Sequence, residues 1–378
     1  MFSKVKTAAV SGIESCIVTV EVDLSPGLPQ FYTVGLPDTS VKESKDRVVA
    51  ALKNSGFDFP SKRITVNLAP AEIKKEGAAF DLPIAVGILS AMELVKKHTA
   101  EDCCLIGELA LDGKVRPVKG VLSIALGARK TGLKRIILPE ANANEAAVVK
   151  EVEVFPVRNL SEVVQFLNGE LQIGRYNVPE EKLFSDSNLD ALDFSDVKGQ
   201  LFAKRALEVA AAGGHNVIMI GSPGSGKTMM AKRVPSILPP LSFEESIETT
   251  RIHSVAGLLK PGVGLLPDKP FRAPHHTISD IALIGGGQYP RPGEVSLAHN
   301  GVLFLDELPE FHRAVLEVLR QPLEDHIVTI SRAKQSLVFP SSFMLIGSMN
   351  PCDGVAYRQP IQIGWEDNRD LSICLLYQ

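Results

Sequence analysis

The sequence predicts an α/β protein of two domains, the second of them built on a parallel sheet. Its 378 residues are more than one hydrophobic core usually organises. Strand-like and helix-like periods alternate through residues 1–170. Between Asn216 and Val234, a short apolar strand pattern, a glycine-rich loop and a helical pattern follow one another. This order is typical of sheets whose parallel strands are joined by helices.

The first domain is predicted from these alternating periods. Apolar residues alternate over Ile17–Val22, recur at helical spacing over Val41–Leu52 before Gly56, and alternate again over Arg63–Leu68. The elements predicted next are a helix over 81–94, a hairpin of 109–111 and 114–116 turned at Asp112-Gly113, a helix over 121–130, a strand over 135–138 and a helix over 142–150. We therefore predict an α/β domain over 1–170.

Three further segments complete the predicted organisation. Residues 171–192 are polar and follow no sustained period, which indicates an interdomain linker. Residues 193–352 form the second domain and carry the motifs described below. Residues 353–378 form a tail of atypical sequence.

The composition limits which functions and which cellular compartment the sequence favours. A net charge of −4 gives no overall basic field, so contact with nucleic acid would have to come from local patches or from an assembled ring. The five cysteines form no CxxC pair, which favours a reducing compartment over a secreted disulfide scaffold. The sequence shows no signal peptide and no membrane span, and we therefore expect a cytoplasmic protein.

A glycine-rich loop predicts a phosphate site. The loop consists of Gly221, Ser222, Pro223, Gly224, Ser225, Gly226, Lys227 and Thr228. Its glycines allow backbone N–H groups to close around phosphates, Lys227 reaches the β and γ oxygens, and the Thr228 hydroxyl binds Mg²⁺. The alternative, a chance glycine turn, does not account for the flanking strand and helix patterns. The sequence therefore predicts a Walker A site for ATP and Mg²⁺.

Two carboxylates at the end of an apolar strand predict the second part of this site. The strand begins after Gly301 and delivers Asp306 and Glu307 at its carboxyl end, where parallel sheets hold their ligands. We expect Asp306 to act on Mg²⁺ through water and Glu307 to polarise the attacking water. A solvated acidic pair is the simpler alternative, which the Walker A loop makes less attractive.

Two weaker signals complete the predicted site. Asn350 follows a strand predicted over Phe343–Gly347 and could hydrogen-bond the γ-phosphate or the attacking water, or it could be a turn residue before proline. Val197 and the Gly199 backbone precede a helical pattern and could form the wall beside adenine, or an ordinary helix cap.

In their order, these motifs resemble the AAA+ ATPases. The segments 271–280, 283–287, 290–294 and 297–311 look like the Mg-chelatase-like branch and, more narrowly, the bacterial YifB/ComM group. That resemblance implies an ATPase that uses Mg²⁺, assembles as a homo-hexamer, and acts on DNA by branch migration during recombination in natural transformation. It implies no small-molecule substrate besides ATP and no membrane partner.

Two segments of the region that resembles the Mg-chelatase-like branch can each be interpreted in two ways. His275 and His276 invite a metal site, but no third ligand stands at a recognisable spacing, and we favour loop histidines that hold an insertion. A hairpin over 327–338 carries Arg332 and Lys334 at its tip. In this class such a hairpin can line the pore of the ring, which makes the two cations candidates for DNA contact; an exposed charged turn is an equal alternative.

The first domain resembles the proteolytic domain of Lon proteases, a ribosomal-S5-like α/β fold. The resemblance rests on segments 75–79, 107–118 and 136–139. Ala79 stands where the nucleophilic serine belongs, and Leu122 stands at or near the place of the lysine, with Lys119 close by. Because an acyl-enzyme needs a nucleophile, we interpret this domain as a protease fold kept for assembly, partner binding or substrate guidance.

The tail departs from the group's pattern. Members usually continue with a helical lid that carries the arginine finger and a sensor arginine, whereas residues after Cys352 show none of that sequence, and Arg358 and Arg369 cannot be assigned those roles. We expect a truncation or a shifted reading frame, with ATP binding retained and hydrolysis weakened. The alternative functions are a magnesium-chelatase motor subunit and, less favoured because of Ala79, an ATP-dependent Lon-like protease.

Overall fold

A computed structural model describes residues 1–178, 192–287, 290–332, 335–351 and 372–376. They form two compact units. The first unit contains residues 1–178 and 253–265, and the second contains the other described residues. None of the helices in the described part of the chain has both the length and the apolar character needed to cross a membrane.

The first unit is a mixed sheet covered by helices. Its strands are β1 Phe2–Ser11, β2 Glu14–Ser25, β3 Gln30–Val34, β4 Arg63–Ala69, β5 Cys103–Leu105, β6 Glu108–Leu109, β7 Val115–Arg116, β8 Arg135–Pro139 and β9 Glu153–Val157. Its helices are α1 Thr39–Asn54, α2 Asp81–Ala91, α3 Lys97–Glu101, α4 Val121–Lys130, α5 Ala143–Ala147 and α6 Leu160–Asn168, with 3₁₀ turns at Ala78–Phe80 and Glu140–Asn142.

The main sheet has seven strands in the order β3-β4-β2-β1-β5-β8-β9. Strands β1 and β2 form a long antiparallel hairpin, and β5, β8 and β9 extend the sheet in parallel. Every residue of α2 is buried, which explains why its sequence is apolar on all sides. This helix and the buried face of β2 supply much of the unit's hydrophobic core.

The predicted elements of this unit were largely found, with several differences. The helix predicted over 81–94 ends at Ala91, the strands of the predicted hairpin are shorter, and β3, β5 and α3 were not predicted. The last predicted helix, over 142–150, is shorter, since α5 ends at Ala147. Strand β1 was not predicted; it is stabilised by its pairing with β2 along its whole length, a contact between segments that a local pattern does not show. Strand β9 and helix α6 were likewise not predicted.

The second unit is a parallel sheet with one antiparallel edge. Its strands are β10 Asn216–Ile220, β11 Phe271–Arg272, β12 Gly285–Gly286, β13 Arg291–Pro292, β14 Val302–Leu305, β15 Ile327–Arg332, β16 Gln335–Pro340, β17 Met344–Met349 and β18 Ser372–Leu376. Its helices are α7 Leu201–Gly213, α8 Lys227–Ala231, α9 Phe243–Ala256, α10 Asp280–Ile284, α11 Glu294–Leu297, α12 Arg313–Glu317 and α13 Arg320–Asp325. Short 3₁₀ helices cover Phe194–Asp196, Val234–Ile237 and Leu308–Glu310. The last residues of α9 belong to the first unit.

The strand order β11-β14-β17-β10-β18 brings three functional segments side by side. Strand β17 lies between β14 and β10, and all three are parallel, so the segments that follow them meet at one edge of the sheet. The predicted α/β class and the parallel sheet are therefore confirmed. Two boundaries were wrong: the hairpin predicted over 327–338 extends to Pro340, and β17 runs to Met349 rather than ending at 347, because it is paired on both sides.

Part of the predicted linker lies outside the described residues, as do Cys352, at the end of the predicted second domain, and most of the predicted tail, including the arginines at 358 and 369. Within the tail, residues 372–376 form β18, which pairs antiparallel with β10.

Candidate nucleotide site

The glycine-rich loop joins β10 to α8 in the predicted order. Gly224 and Gly226 have φ angles of 78° and 91°, a region that residues with a Cβ enter at a free-energy cost. Gly226 is the N-cap residue of α8, so its conformation sets the direction in which the helix begins. Within the loop, the Ser225 N–H donates to the Ser222 carbonyl at 3.2 Å. The loop therefore closes on itself before the helix starts.

Lys227 is the central cation of the site. Its Nζ donates to the carbonyl oxygens of Gly221 at 2.7 Å and Ser222 at 3.0 Å, and to Asn350 Oδ1 at 3.0 Å. The residue is buried, and desolvation lowers the pKa of the amine, while the nearby Asp306 charge opposes that shift. A buried ammonium held by three oxygens is ready to exchange them for phosphate oxygens, which carry more negative charge.

Thr228 and Asp306 form the second contact. The Thr228 hydroxyl donates to Asp306 Oδ2 at 2.8 Å. Asp306 Oδ1 accepts from the Ser348 hydroxyl and from the Glu307 N–H at 3.1 Å. Hydroxyl and carboxylate oxygens are the ligands that Mg²⁺ prefers, so the donor set around Thr228 and Asp306 fits that ion.

Glu307 lies at the exposed side of the site. It has a φ of 55°, in the left-handed region, and its side chain is 56% exposed. Its Oε2 lies 3.5 Å from His276 Nδ1. The residue is thus accessible to solvent, as the activation of a water molecule requires, and its function remains a prediction.

Asn350 follows β17 directly, as predicted, and its amide oxygen faces Lys227. The structure therefore brings Lys227, Thr228, Asp306 and Asn350 together from three separate segments of the chain. The assigned function of Asn350, contact with a γ-phosphate or with the attacking water, remains a prediction.

The segment before α7 approaches the same loop. Val197 is buried in the core of the second unit, and its carbonyl accepts from Lys204 Nζ at 3.1 Å. Gly199 has a φ of 67°, and the next residue, Gln200, donates from Nε2 to the Ser225 carbonyl at 3.5 Å. The backbone near Gly199 is therefore tied to the loop, which is compatible with both interpretations of this segment.

The histidine pair lies beside Glu307. The rings of His275 and His276 are 4.1 Å apart, and His275 Nδ1 is 2.9 Å from the Thr277 hydroxyl. The His276 ring also meets Phe311 edge-on, at 6.4 Å between centroids. Among the described residues, no group of three or more histidine, cysteine and carboxylate side chains is placed to hold a metal ion.

The predicted DNA-contact hairpin consists of β15 and β16. Arg332 is the last residue of β15, and Lys334 lies outside the described residues. Contact of these two residues with DNA stays a prediction.

In the first unit, the residues at the positions of the protease dyad have other surroundings. Ala79 lies in a 3₁₀ turn before α2, and its carbonyl accepts from the Gly107 N–H at 3.1 Å. Leu122 is fully buried, and its N–H donates to Glu145 Oε1 at 2.8 Å. The Lys119 side chain packs on Gly257, so closely that a Cβ added to this glycine would lie 2.6 Å from Lys119 Nζ. These positions provide an alanine and a buried leucine rather than a nucleophile and a base.

Sequence reasoning missed two polar partners of the predicted acids. Ser348 was given no function and lay just beyond the strand predicted over Phe343–Gly347, although the observed strand Met344–Met349 includes it and its hydroxyl donates to Asp306. His276 was treated as a loop histidine, although it faces Glu307. The position of Ser348 at the end of a strand could have indicated this contact, because the strand that delivers Asp306 also ends in polar residues. The sequence around His276 gave no such indication, because its loop follows no period.

Comparison with known proteins agrees with this geometry. Residues 193–368 match the family model described as magnesium chelatase, subunit ChlI, and residues 20–142 match the model described as subunit ChlI of Mg-chelatase. The competence protein ComM of Haemophilus influenzae is 47% identical over 350 residues, which cover 92% of this chain and 68% of that protein.

Two further relatives are proteins called YifB. Those of Salmonella typhimurium and Escherichia coli are 46% and 45% identical over 92% of this chain, and the matches cover 67% and 68% of their lengths. A Lon protease of Trichlorobacter lovleyi is 27% identical over 178 residues, covering 44% of this chain and 21% of that protein. The similarity to Lon is therefore more distant and partial.

Proposed function

Because this chain belongs to the ComM/YifB family of Mg-chelatase-like AAA+ proteins, we propose that it binds and hydrolyses Mg-ATP to drive work on DNA. The observation that carries the nucleotide part is the convergence of Lys227, Thr228, Asp306 and Asn350 at one edge of the parallel sheet. Each residue presents the chemistry that a triphosphate and its metal ion require.

The side chains have separate tasks in this proposal. Lys227 neutralises charge on the β and γ oxygens, and the loop N–H groups and the start of α8 bind phosphate. Thr228 and Asp306 hold Mg²⁺, which when bound neutralises the negative charge that develops on the phosphate oxygens. Glu307 accepts a proton from the attacking water, and Asn350 orients that water or the γ-phosphate.

Nucleotide binding is tested with two lysines at the two ends of α8. Lys227→Ala removes the buried amine, whereas Lys232→Ala removes an exposed one just after α8. We expect the first variant to lose binding of a fluorescent ATP analogue in Mg²⁺ and to lose phosphate release, and the second to retain both. Wild-type protein that neither binds nor hydrolyses ATP above the level of Lys227→Ala would refute the proposal.

The DNA part rests on the relationship to ComM, a competence protein, and on the two cations assigned to the β15–β16 hairpin. A hairpin of this kind in a homo-hexameric ring would present Arg332 and its neighbour Lys334 to the phosphate backbone. Binding through phosphates would be weakened by salt and indifferent to sequence.

The DNA part is tested by the salt dependence of binding to a branched DNA. We expect Arg332→Ala and Lys334→Ala to weaken binding and to reduce the slope of log affinity against log salt by about one per lysine or arginine removed. Arg313→Ala is the matched control, because Arg313 is exposed and pairs with Glu317 on its own helix. Equal binding by all three variants would exclude the hairpin as the DNA contact.

A further inference from the structure

His276 lies next to the predicted general base, and nothing in the proposed function requires it. Its Nδ1 is 3.5 Å from Glu307 Oε2, an ion-pair distance. A carboxylate can only accept, so the contact is attractive when Nδ1 carries the proton. Among the described residues, no other side chain forms a hydrogen bond or ion pair with the Glu307 carboxylate.

The ring of His276 contacts two other rings. The His275 ring lies against it, with ring centroids 4.1 Å apart and ring planes tilted by 35°, and the Phe311 ring meets it edge-on at 6.4 Å between centroids. The side chain is 29% exposed, whereas that of Glu307 is 56% exposed. His276 is therefore more constrained by its neighbours than Glu307, which it contacts. In such an arrangement the more constrained side chain can orient the other.

The backbone of Glu307 determines where its carboxylate lies. Its φ of 55° turns the chain sharply between β14 and the 3₁₀ helix Leu308–Glu310. This turn leaves the carboxylate at the surface, where its rotamers would exchange freely without a partner. A general base acts only within hydrogen-bond reach of the proton that it accepts, so a poorly oriented carboxylate lowers the rate of the chemical step.

We propose that His276 is a positioning residue that orients the Glu307 carboxylate through Nδ1, leaving the second carboxylate oxygen to accept the proton of the attacking water. This inference rests on the proposed ATPase activity. It differs from the metal and loop interpretations of the histidine pair, because it assigns His276 alone a function in hydrolysis and none in nucleotide binding.

Two substitutions separate hydrogen donation from ring packing. His276→Asn keeps an N–H donor near the position of Nδ1, whereas His276→Phe keeps a ring against His275 and Phe311 and removes the donor. We expect His276→Phe to lower kcat about tenfold, with KM and the affinity for Mg-ATP within about twofold of wild type. We expect His276→Asn to recover most of that loss.

The measurements are steady-state phosphate release, binding of a fluorescent ATP analogue and thermal unfolding of each variant. Unchanged kcat in His276→Phe would overturn the positioning role, and so would an equal fall in both variants, which would indicate packing of the imidazole instead. A loss of nucleotide affinity in His276→Phe would also overturn it. In each of these cases wild type remains active and Lys227→Ala inactive, so the proposed function survives. A wild type that binds ATP without hydrolysing it above the level of Lys227→Ala overturns the positioning role alone, and one that neither binds nor hydrolyses ATP above that level refutes both.

Discussion

Removal of the Ser348 hydroxyl tests how the metal-binding carboxylate is held. Ser348 is 1% exposed, and its hydroxyl is one of three donors to Asp306, with the Thr228 hydroxyl and the Glu307 N–H. Ser348→Ala leaves the other two donors in place. Without the Ser348 hydroxyl, the Asp306 carboxylate can rotate away from the orientation in which it accepts from Thr228. We therefore expect weaker Mg²⁺ binding in the ATP complex.

The size of the effect follows from the type of bond. A hydrogen bond to a charged group contributes about 2 kcal/mol, which corresponds to about 30-fold in affinity. Substitution of outer partners of metal ligands has effects of the same order, about 10- to 100-fold. The Mg²⁺ concentration at half-maximal binding of a fluorescent ATP analogue should rise by about that factor, while binding of ATP in EDTA should change little.

Ser341→Ala is the matched control for this prediction. Ser341 is also buried, and among the described residues its hydroxyl has no hydrogen-bond partner. The same chemical change there should leave the Mg²⁺ midpoint where it is in wild type. A midpoint for Ser348→Ala within about twofold of the Ser341→Ala value would show that the hydroxyl does not hold the metal-binding carboxylate, and would refute the reasoning.

Three further perturbations have defined outcomes. Asn350→Ala removes an acceptor of Lys227 and the predicted contact to phosphate or water, so kcat for ATP should fall about tenfold or more with ATP affinity largely kept; a change in affinity alone would contradict this assignment. Burial raises the pKa of Asp81 from 3.8 to about 6, so the native state keeps a proton that the unfolded state releases, and the free energy of unfolding should fall by about 2 kcal/mol as pH rises from 4 to 7. Urea unfolding across that range should show a flatter pH dependence in Asp81→Asn, and an identical slope would exclude Asp81 as its source. Ala79→Ser should not cleave fluorescent casein, because the position of the lysine base is occupied by the buried Leu122; cleavage would show that another base serves the site.

Much of the nucleotide site was predictable because its residues lie in local patterns. The Walker A loop is contiguous, and its flanking strand and helix are marked by period and by glycine. Asp306 and Glu307 follow an apolar run whose direction could be inferred. The assignments of Lys227, Thr228 and Asp306 therefore needed no knowledge of distant contacts.

The first domain was less predictable, because several of its features depend on contacts between segments that are distant in the sequence. Strand β1 starts the chain with Phe2 and alternates only in part, and its pairing with β2 stabilises it. The grouping of residues 253–265 with the first unit also had no local signal, because the segment begins inside the continuous helical pattern of α9.

The sequence by itself determined the α/β class, the phosphate loop and the acidic pair, because each depends on neighbouring residues and on the geometry of a single strand or helix. Only the tertiary structure decided which polar groups meet those residues. Ser348 reaches Asp306 because β17 lies beside β14, and His276 reaches Glu307 because the loop after β11 returns to the end of β14. Such contacts depend on strand order and chain path, which no local period encodes.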